Sequence, residues 1–142
     1  MNENFIAKAS IAINAPASKV WEALTNPEII KQYLFGTEAK SDWKVGSPIT
    51  YKGVWEGKAY EDKGTILELV PNKLLVSSYW SSFSGQPDSP ENYQKVSYEL
   101  VEEAAKTTLN ITQENAKDQK SADHSGENWK MVLGKLKELL EK

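Results

Sequence analysis

Trp129, Val132, Leu133, Leu136, Leu139 and Leu140 recur at spacings of three and four along residues 122–141. That spacing predicts a long amphipathic helix with one apolar stripe. Lys130, Lys135, Lys137 and Glu138 cover the rest of its surface, and Met131 is expected to face solvent. A helix with a single stripe must bury it against a larger surface, and the stretch before it supplies one. "FIAKASIAI" (5–13) alternates as a half-buried strand, and further strands are expected over about 37–41, 47–55, 58–69, 73–82, 92–101 and 106–115. Val45-Gly46, Glu56-Gly57, Pro71-Asn72 and the "EEAAK" link separate them. Connections this short pair strands antiparallel. The chain is therefore confined to an α+β fold, a sheet layer with a helix laid on it.

Between the first two strands, Ala17, Val20, Trp21 and Leu24 form a helical stripe after Pro16, and Asn26-Pro27 ends that helix and caps a second short one. Such a short helix is not stable alone, so Trp21 is expected to press on the sheet as core. Ile30, Tyr33 and Leu34 form the buried face of the second helix. Asp123 or Ser121 is expected to cap the last helix. Its inner face is bulky in the C-terminal half but small at Ala122, Ser125 and Gly126, which predicts open space beside the sheet there. In "LLVSSYW" the register stays open: either Val76, Ser78 and Trp80 or Leu75, Ser77 and Tyr79 face inward. Gly64 within its strand suggests a bulge. "SSFSGQPDSPENY" (81–93) is the one long linker-like stretch and a candidate lid.

Composition narrows the chemistry. The 142 residues, 39% of them hydrophobic and 26% charged, suit one domain over 1–142. A net charge of −3 gives no basic field for nucleic acid. With no cysteine, disulfides, thiol nucleophiles and thiolate metal sites are excluded. No apolar run approaches the roughly 20 residues of a membrane span. The N-terminus does not read as a signal peptide, so a cytoplasmic protein without membrane insertion is expected. His124 is the single histidine and is expected on an exposed helix start; no GxSxG serine motif accompanies it. No metal or cofactor site and no catalytic residue is read from the chain. For Asp62 and Glu68 both an inward, ligand-orienting position and a solvated one stay open, the solvated one being the commoner fate of a strand carboxylate, and Gln113 is expected to face inward as it continues the Leu109–Ile111 alternation. Asn110-Ile111-Thr112 matches a glycosylation triplet but lies in a strand. The aromatics Trp43, Tyr51, Trp55, Tyr79, Trp80, Phe83, Tyr93 and Trp129 are expected to fill core or line a pocket.

"INAPASKVWEALTNPEIIKQYL", "GTILELVPNKLLVSSYW", "KVSYEL" with "KTTLNITQEN", and "HSGENWKMVLGKLKELL" together resemble the START-like (birch-pollen-allergen-like, SRPBCC) superfamily. Within it, they are similar to the activator of heat-shock protein 90 ATPase homologue-like family. The likeness spans nearly the whole chain; Tyr33 stands where many members have tryptophan. It implies a helix-grip fold: a curved antiparallel sheet of about seven strands gripping the last helix. It also implies a pocket between them for a hydrophobic or amphipathic small molecule, lipid-like or aromatic and polyketide-like.

The expected ligand-binding residues on the last helix are Ser125, Gly126, Trp129, Val132 and Leu133. Those from the sheet and its surroundings are Tyr98, Ile111, Gln113, Trp80, Phe83 and Tyr33. A non-enzymatic, monomeric binding domain is the leading expectation. The alternatives are a co-chaperone-like domain acting on a heat-shock protein 90 ATPase and a cyclase- or aromatase-type enzyme. The last would need an inward carboxylate whose pKa is raised by burial.

Overall fold

A computed structural model describes residues 5–34, 36–55, 57–81, 87–116 and 118–141. The elements, in chain order, are β1 (Phe5–Ile13), α1 (Ala17–Thr25), α2 (Pro27–Tyr33), β2 (Glu38–Ser41), β3 (Pro48–Trp55), β4 (Lys58–Val70), β5 (Leu74–Ser81), β6 (Gln94–Glu103), β7 (Lys106–Ala116) and α3 (Gln119–Leu140). A 3₁₀ turn at Pro90–Asn92 precedes β6. The strands form one seven-stranded sheet in the order β1-β7-β6-β5-β4-β3-β2. Every neighbouring pair is antiparallel. The curved sheet carries α3 on its concave face.

The apolar stripe of α3 behaves as its spacing predicts. Val132, Leu133, Leu136 and Leu140 are buried against Ala9 and Ile13 of β1 and Leu109 and Ile111 of β7. Met131 is exposed. The helix begins a turn earlier than expected. Its N-cap is Asp118, whose side chain accepts from the Ser121 backbone N–H at 2.7 Å, and not Asp123 or Ser121. The extra turn carries Ala122 onto Ala7 of β1 and Ala116 of β7. At Gly126 an added Cβ would lie 3.8 Å from the Lys8 carbonyl oxygen, ordinary contact distance. The small residues at the start of α3 thus bring the helix down onto the sheet, where open space was expected.

The helix pair closes the other end. Pro16 precedes α1 without a side-chain cap, and the Glu102 carboxylate of β6 takes over by accepting the Ala17 N–H at 2.5 Å. An acid at a helix N-terminus also opposes the helix dipole. Asn26 caps α2, as expected. Trp21 is half-buried and packs both on the main core and on the smaller cluster of Ile49, Ile66 and Leu75. It joins the two.

In the β6–β7 hairpin, Glu103 pairs with Lys106, and Ala104 and Ala105 have φ of 49° and 68°. A two-residue loop with both φ positive is the type I′ pattern, which favours Asn-Gly because a Cβ is strained there. Each alanine costs on the order of 1 kcal/mol in this region. The variant A104N/A105G is expected to gain about 1–2 kcal/mol. An unchanged midpoint in urea denaturation would contradict that reading of the loop.

Candidate ligand-binding site

The concave face of β3–β6 is set by strand parity. Ile66 is fully buried in the core, so Gly64 and Asp62, two and four residues before it, share its inward face. The β4–β5 register shifts between Ile66 and Glu68. This bulge reverses the parity beyond it: Leu69 packs inward and Glu68 is exposed. The bulge thus lies just past Gly64, whose own role is close approach to β5. Glu68 thus takes the solvated position, and Asp62 the inward one. Pairing with β6 settles β5, because Leu75 lies opposite Tyr98 and Ser77 opposite Val96. Leu75, Ser77 and Tyr79 therefore face inward. Trp80 belongs to the convex face, where its cross-strand partner Lys63 places its ammonium 5.6 Å from the ring centroid. Its expected place in the pocket is corrected on that ground.

What gathers on the concave face is an aromatic and polar set. Tyr51 of β3 lies directly across from Asp62 of β4. The Tyr79 hydroxyl of β5 donates to Asp62 Oδ2 at 3.0 Å. Tyr98 of β6 meets Trp129 of α3 edge to face, with centroids 5.8 Å apart and planes at 86°. The Trp129 indole N–H donates to Gln113 Oε1 of β7 at 2.8 Å, and Gln113 Nε2 donates to Gln94 Oε1. Indole is a donor only, so this bond fixes the Gln113 amide with its oxygen toward α3.

These side chains are enclosed, yet not sealed. Burial pushes the hydroxyl pKa of Tyr51, Tyr79 and Tyr98 well up, with the Asp62 charge adding to the effect at Tyr79 and the Tyr98 hydroxyl adding at Tyr51. All three stay protonated donors at physiological pH. Nevertheless Tyr51, Asp62, Tyr79, Tyr98 and Trp129 each keep accessible surface. Side chains that are strongly desolvated yet keep some accessible surface make this face the candidate site.

The other expected site residues divide. Ile111, Val132 and Leu133 are buried in the main core. Tyr33 is buried, with its hydroxyl committed to the Ala23 carbonyl at 2.7 Å. Ser125 and Gly126 sit half-buried on the α3 turn that approaches β1. Phe83 lies outside the described residues, as does the 82–86 part of the candidate lid. Tyr51 and Tyr79 were expected only generally, among the aromatics that fill core or line a pocket, and Asp62 more readily in solvent; none was named as a ligand-binding residue. One of them was within reach of the sequence: a two-residue turn at Glu56-Gly57 puts Tyr51 opposite Asp62 by counting back along both strands.

Asp62 is the unusual member. Burial raises its carboxyl pKa, and the Ser81 and Tyr79 hydroxyls oppose that rise without cancelling it. Its Oδ1 is buried and has no hydrogen-bond partner among the described residues. An acid whose folded pKa is raised binds more protons folded than unfolded. Stability therefore falls as pH rises from the ordinary carboxylate value through the raised one, and stays reduced above it. Asp62→Asn removes the charge that burial disfavours, so it is expected to be more stable than the parent at pH 7. The difference should close in acid, where Asp62 is protonated in both states. Thermal melts at pH 3 and 7 read it; equal gains at both would disprove the assignment.

Among the described residues no group of three or more His, Asp or Glu side chains could hold a metal, and no helix is long and apolar enough to cross a membrane. Two surface depressions lie away from these side chains. The larger, about 890 Å³, runs along Pro16–Ser18, the β4–β5 turn and β6 residues 99–102.

A sheet that grips a C-terminal helix, with a helix pair closing one end, defines a helix-grip protein of the START-like class. The chain belongs to the family described as activator of Hsp90 ATPase homologue 1-like proteins, whose profile matches residues 14–141. Among solved structures it is similar to ChR145 from Cytophaga hutchinsonii, with 49% identity over 99% of this chain and 97% of that one, at a TM-score of 0.85. The Aha1 dimer from Colwellia psychrerythraea shares the fold at 23% identity, with 96% of each chain covered and a TM-score of 0.76. DynU16, a protein of the dynemicin biosynthetic locus, shares it at 19% identity and a TM-score of 0.79, over 96% of this chain and 47% of that one. No curated protein matches the chain.

Proposed function

We propose that this chain is a small-molecule-binding domain whose ligand enters the recess between α3 and the concave face of β3–β7. The observation that carries the reading is the joint burial and accessibility of Tyr51, Tyr79, Tyr98 and Trp129. Aromatic walls with a few placed polar groups are the usual make-up of a ligand site. Tyrosine hydroxyls, an amide and a carboxylate fit a rigid aromatic or polyketide-like ligand with polar substituents better than a plain acyl chain. Affinity then comes from desolvating apolar surface, about 25 cal/mol per Å² before the costs of association.

The test is an NMR titration of the ¹⁵N-labelled protein with a library of aromatic, polyketide-like and fatty compounds, watching the Trp129 indole N–H. Aromatic compounds are expected to shift that signal and the Tyr98 amide. If every class leaves both in place, the reading fails.

One observation favours a second reading. Asp62 is an inward carboxylate with a raised pKa, the group a cyclase-type enzyme would need as a general base. Turnover of a poly-β-carbonyl substrate that is lost in Asp62→Asn would establish it. The family name also raises a chaperone partner, which no side chain described above supports. Retention on an Hsp90 column with a changed ATPase rate would be needed to revive it.

A further inference from the structure

The concave face holds a carboxylate and, among the described residues, no counter-charge acts on it. Asp62 stands on β4 between Tyr51 of β3 and Tyr79 of β5. The groups acting on its ionisation are burial and the Ser81 and Tyr79 hydroxyls, and no cation figures among them. The nearest lysine in sequence, Lys63, is turned to the opposite face. There it pairs with Asp88 and lies over Trp80. Lys52, another basic residue of the hairpin, is exposed and pairs with Glu61 at 3.3 Å. Tyr79 satisfies Oδ2, while Oδ1 is left buried and unpartnered among the described residues.

A buried acceptor without a donor carries a standing cost, which a ligand can relieve. Tyrosine rings on both sides of the carboxylate supply electron-rich surface of the kind that attracts a cation. A desolvated carboxylate attracts a positive group more strongly than a neutral donor, since Coulomb energy rises as the local dielectric falls. An anionic ligand would meet repulsion from the same group.

Resting on the binding function proposed above, we propose that the ligand is an aromatic amine. Its protonated nitrogen donates to Asp62 Oδ1 between Tyr51 and Tyr79, and its ring system extends toward Tyr98 and Trp129. Asp62 is thus the residue that selects ligand charge. The aromatic wall beyond it supplies contact without selecting charge.

Three probes of one shape separate this from the broader reading: 2-(2-naphthyl)ethylamine, 2-(2-naphthyl)ethanol and 3-(2-naphthyl)propionate, titrated at pH 7 by calorimetry and by the Trp129 indole signal. The amine is expected to bind at least tenfold tighter than the alcohol, with the propionate weakest. Asp62→Asn, which should fold with added stability, is expected to erase the preference for the amine and retain the alcohol. Equal binding of amine and alcohol, tighter binding of the propionate, or an amine preference that survives Asp62→Asn overturns the inference while leaving the pocket standing. If none of the three probes binds, the pocket reading falls and the inference falls with it.

Discussion

Gly64→Ala is expected to destabilise the fold by roughly 3 kcal/mol or more, enough to lower its population visibly at 37 °C. A Cβ built at Gly64 would fall on the Ser78 carbonyl, only 2.5 Å from its carbon and closer still to its oxygen. Both are backbone atoms of the adjoining strand, so no rotamer change relieves the clash. The neighbouring pairing is already unusual: the Thr65 N–H donates to the Ser78 side-chain oxygen at 2.8 Å. A methyl group must push β4 and β5 apart, and the 3.0 Å Tyr79–Asp62 bond spans the same two strands. The variant should therefore lose both stability and the Tyr79–Asp62 geometry.

Gly53→Ala is the matched comparison. There an added Cβ would meet the Tyr60 hydroxyl at 2.6 Å, the far end of a side chain that can swing away. That change should cost nearer 1 kcal/mol, the value of one displaced hydrogen bond. Urea denaturation of both variants, with m-values compared, gives the answer. A Gly64→Ala midpoint close to the parent's would show that the two strands are not held together as described.

Most of the frame was legible because its signals are local. Alternation in β1, β6 and β7, the turn residues between strands and the stripe of α3 each depend on neighbours within a few positions. The site was harder to read because it depends on phase. Leu75, Ser77 and Tyr79 have nearly the same mixture of character as Val76, Ser78 and Trp80, and Leu75 and Val76 are both buried. Only pairing with β6, about twenty residues on by the register of Leu75 with Tyr98, chooses between them. Asp62 and Glu68 share one strand and one parity in the sequence, and a bulge between them sends one in and the other out. The start of α3 misled for a different reason. A small residue can leave a gap or permit contact, and which it does depends on where the helix axis runs. Here Ala122 meets Ala7 and Ala116, and the axis comes close to β1. The aromatic side chains that keep accessible surface lie instead toward β3–β6.

Trp129→Ala should cost about 3 kcal/mol and lower affinity for the proposed aromatic ligand at least tenfold. Three losses add up. The ring is half-buried between α3 and the sheet, so apolar contact goes with it. The edge-to-face pair with Tyr98 goes too, worth about 0.5–1.5 kcal/mol. Gln113, only 6% exposed, is left with Oε1 unpaired while its Nε2 stays bound to Gln94, at about 1–3 kcal/mol. Trp129→Phe separates these terms: it keeps most of the ring and its edge contact and loses the donor, so it should cost about 1–2 kcal/mol. Gln113→Leu removes the acceptor, and pairing it with Trp129→Phe completes a double-mutant cycle. If the indole–amide bond anchors α3 to β7, the double variant should be more stable than the sum of the single losses by at least about 0.5 kcal/mol. The rationale is physical: with both polar partners gone, neither is left stranded. Strict additivity across the cycle would mean that the bond contributes nothing to holding α3 against β7. Trp129 would then be only an aromatic of the concave face and not also the fastener of the helix.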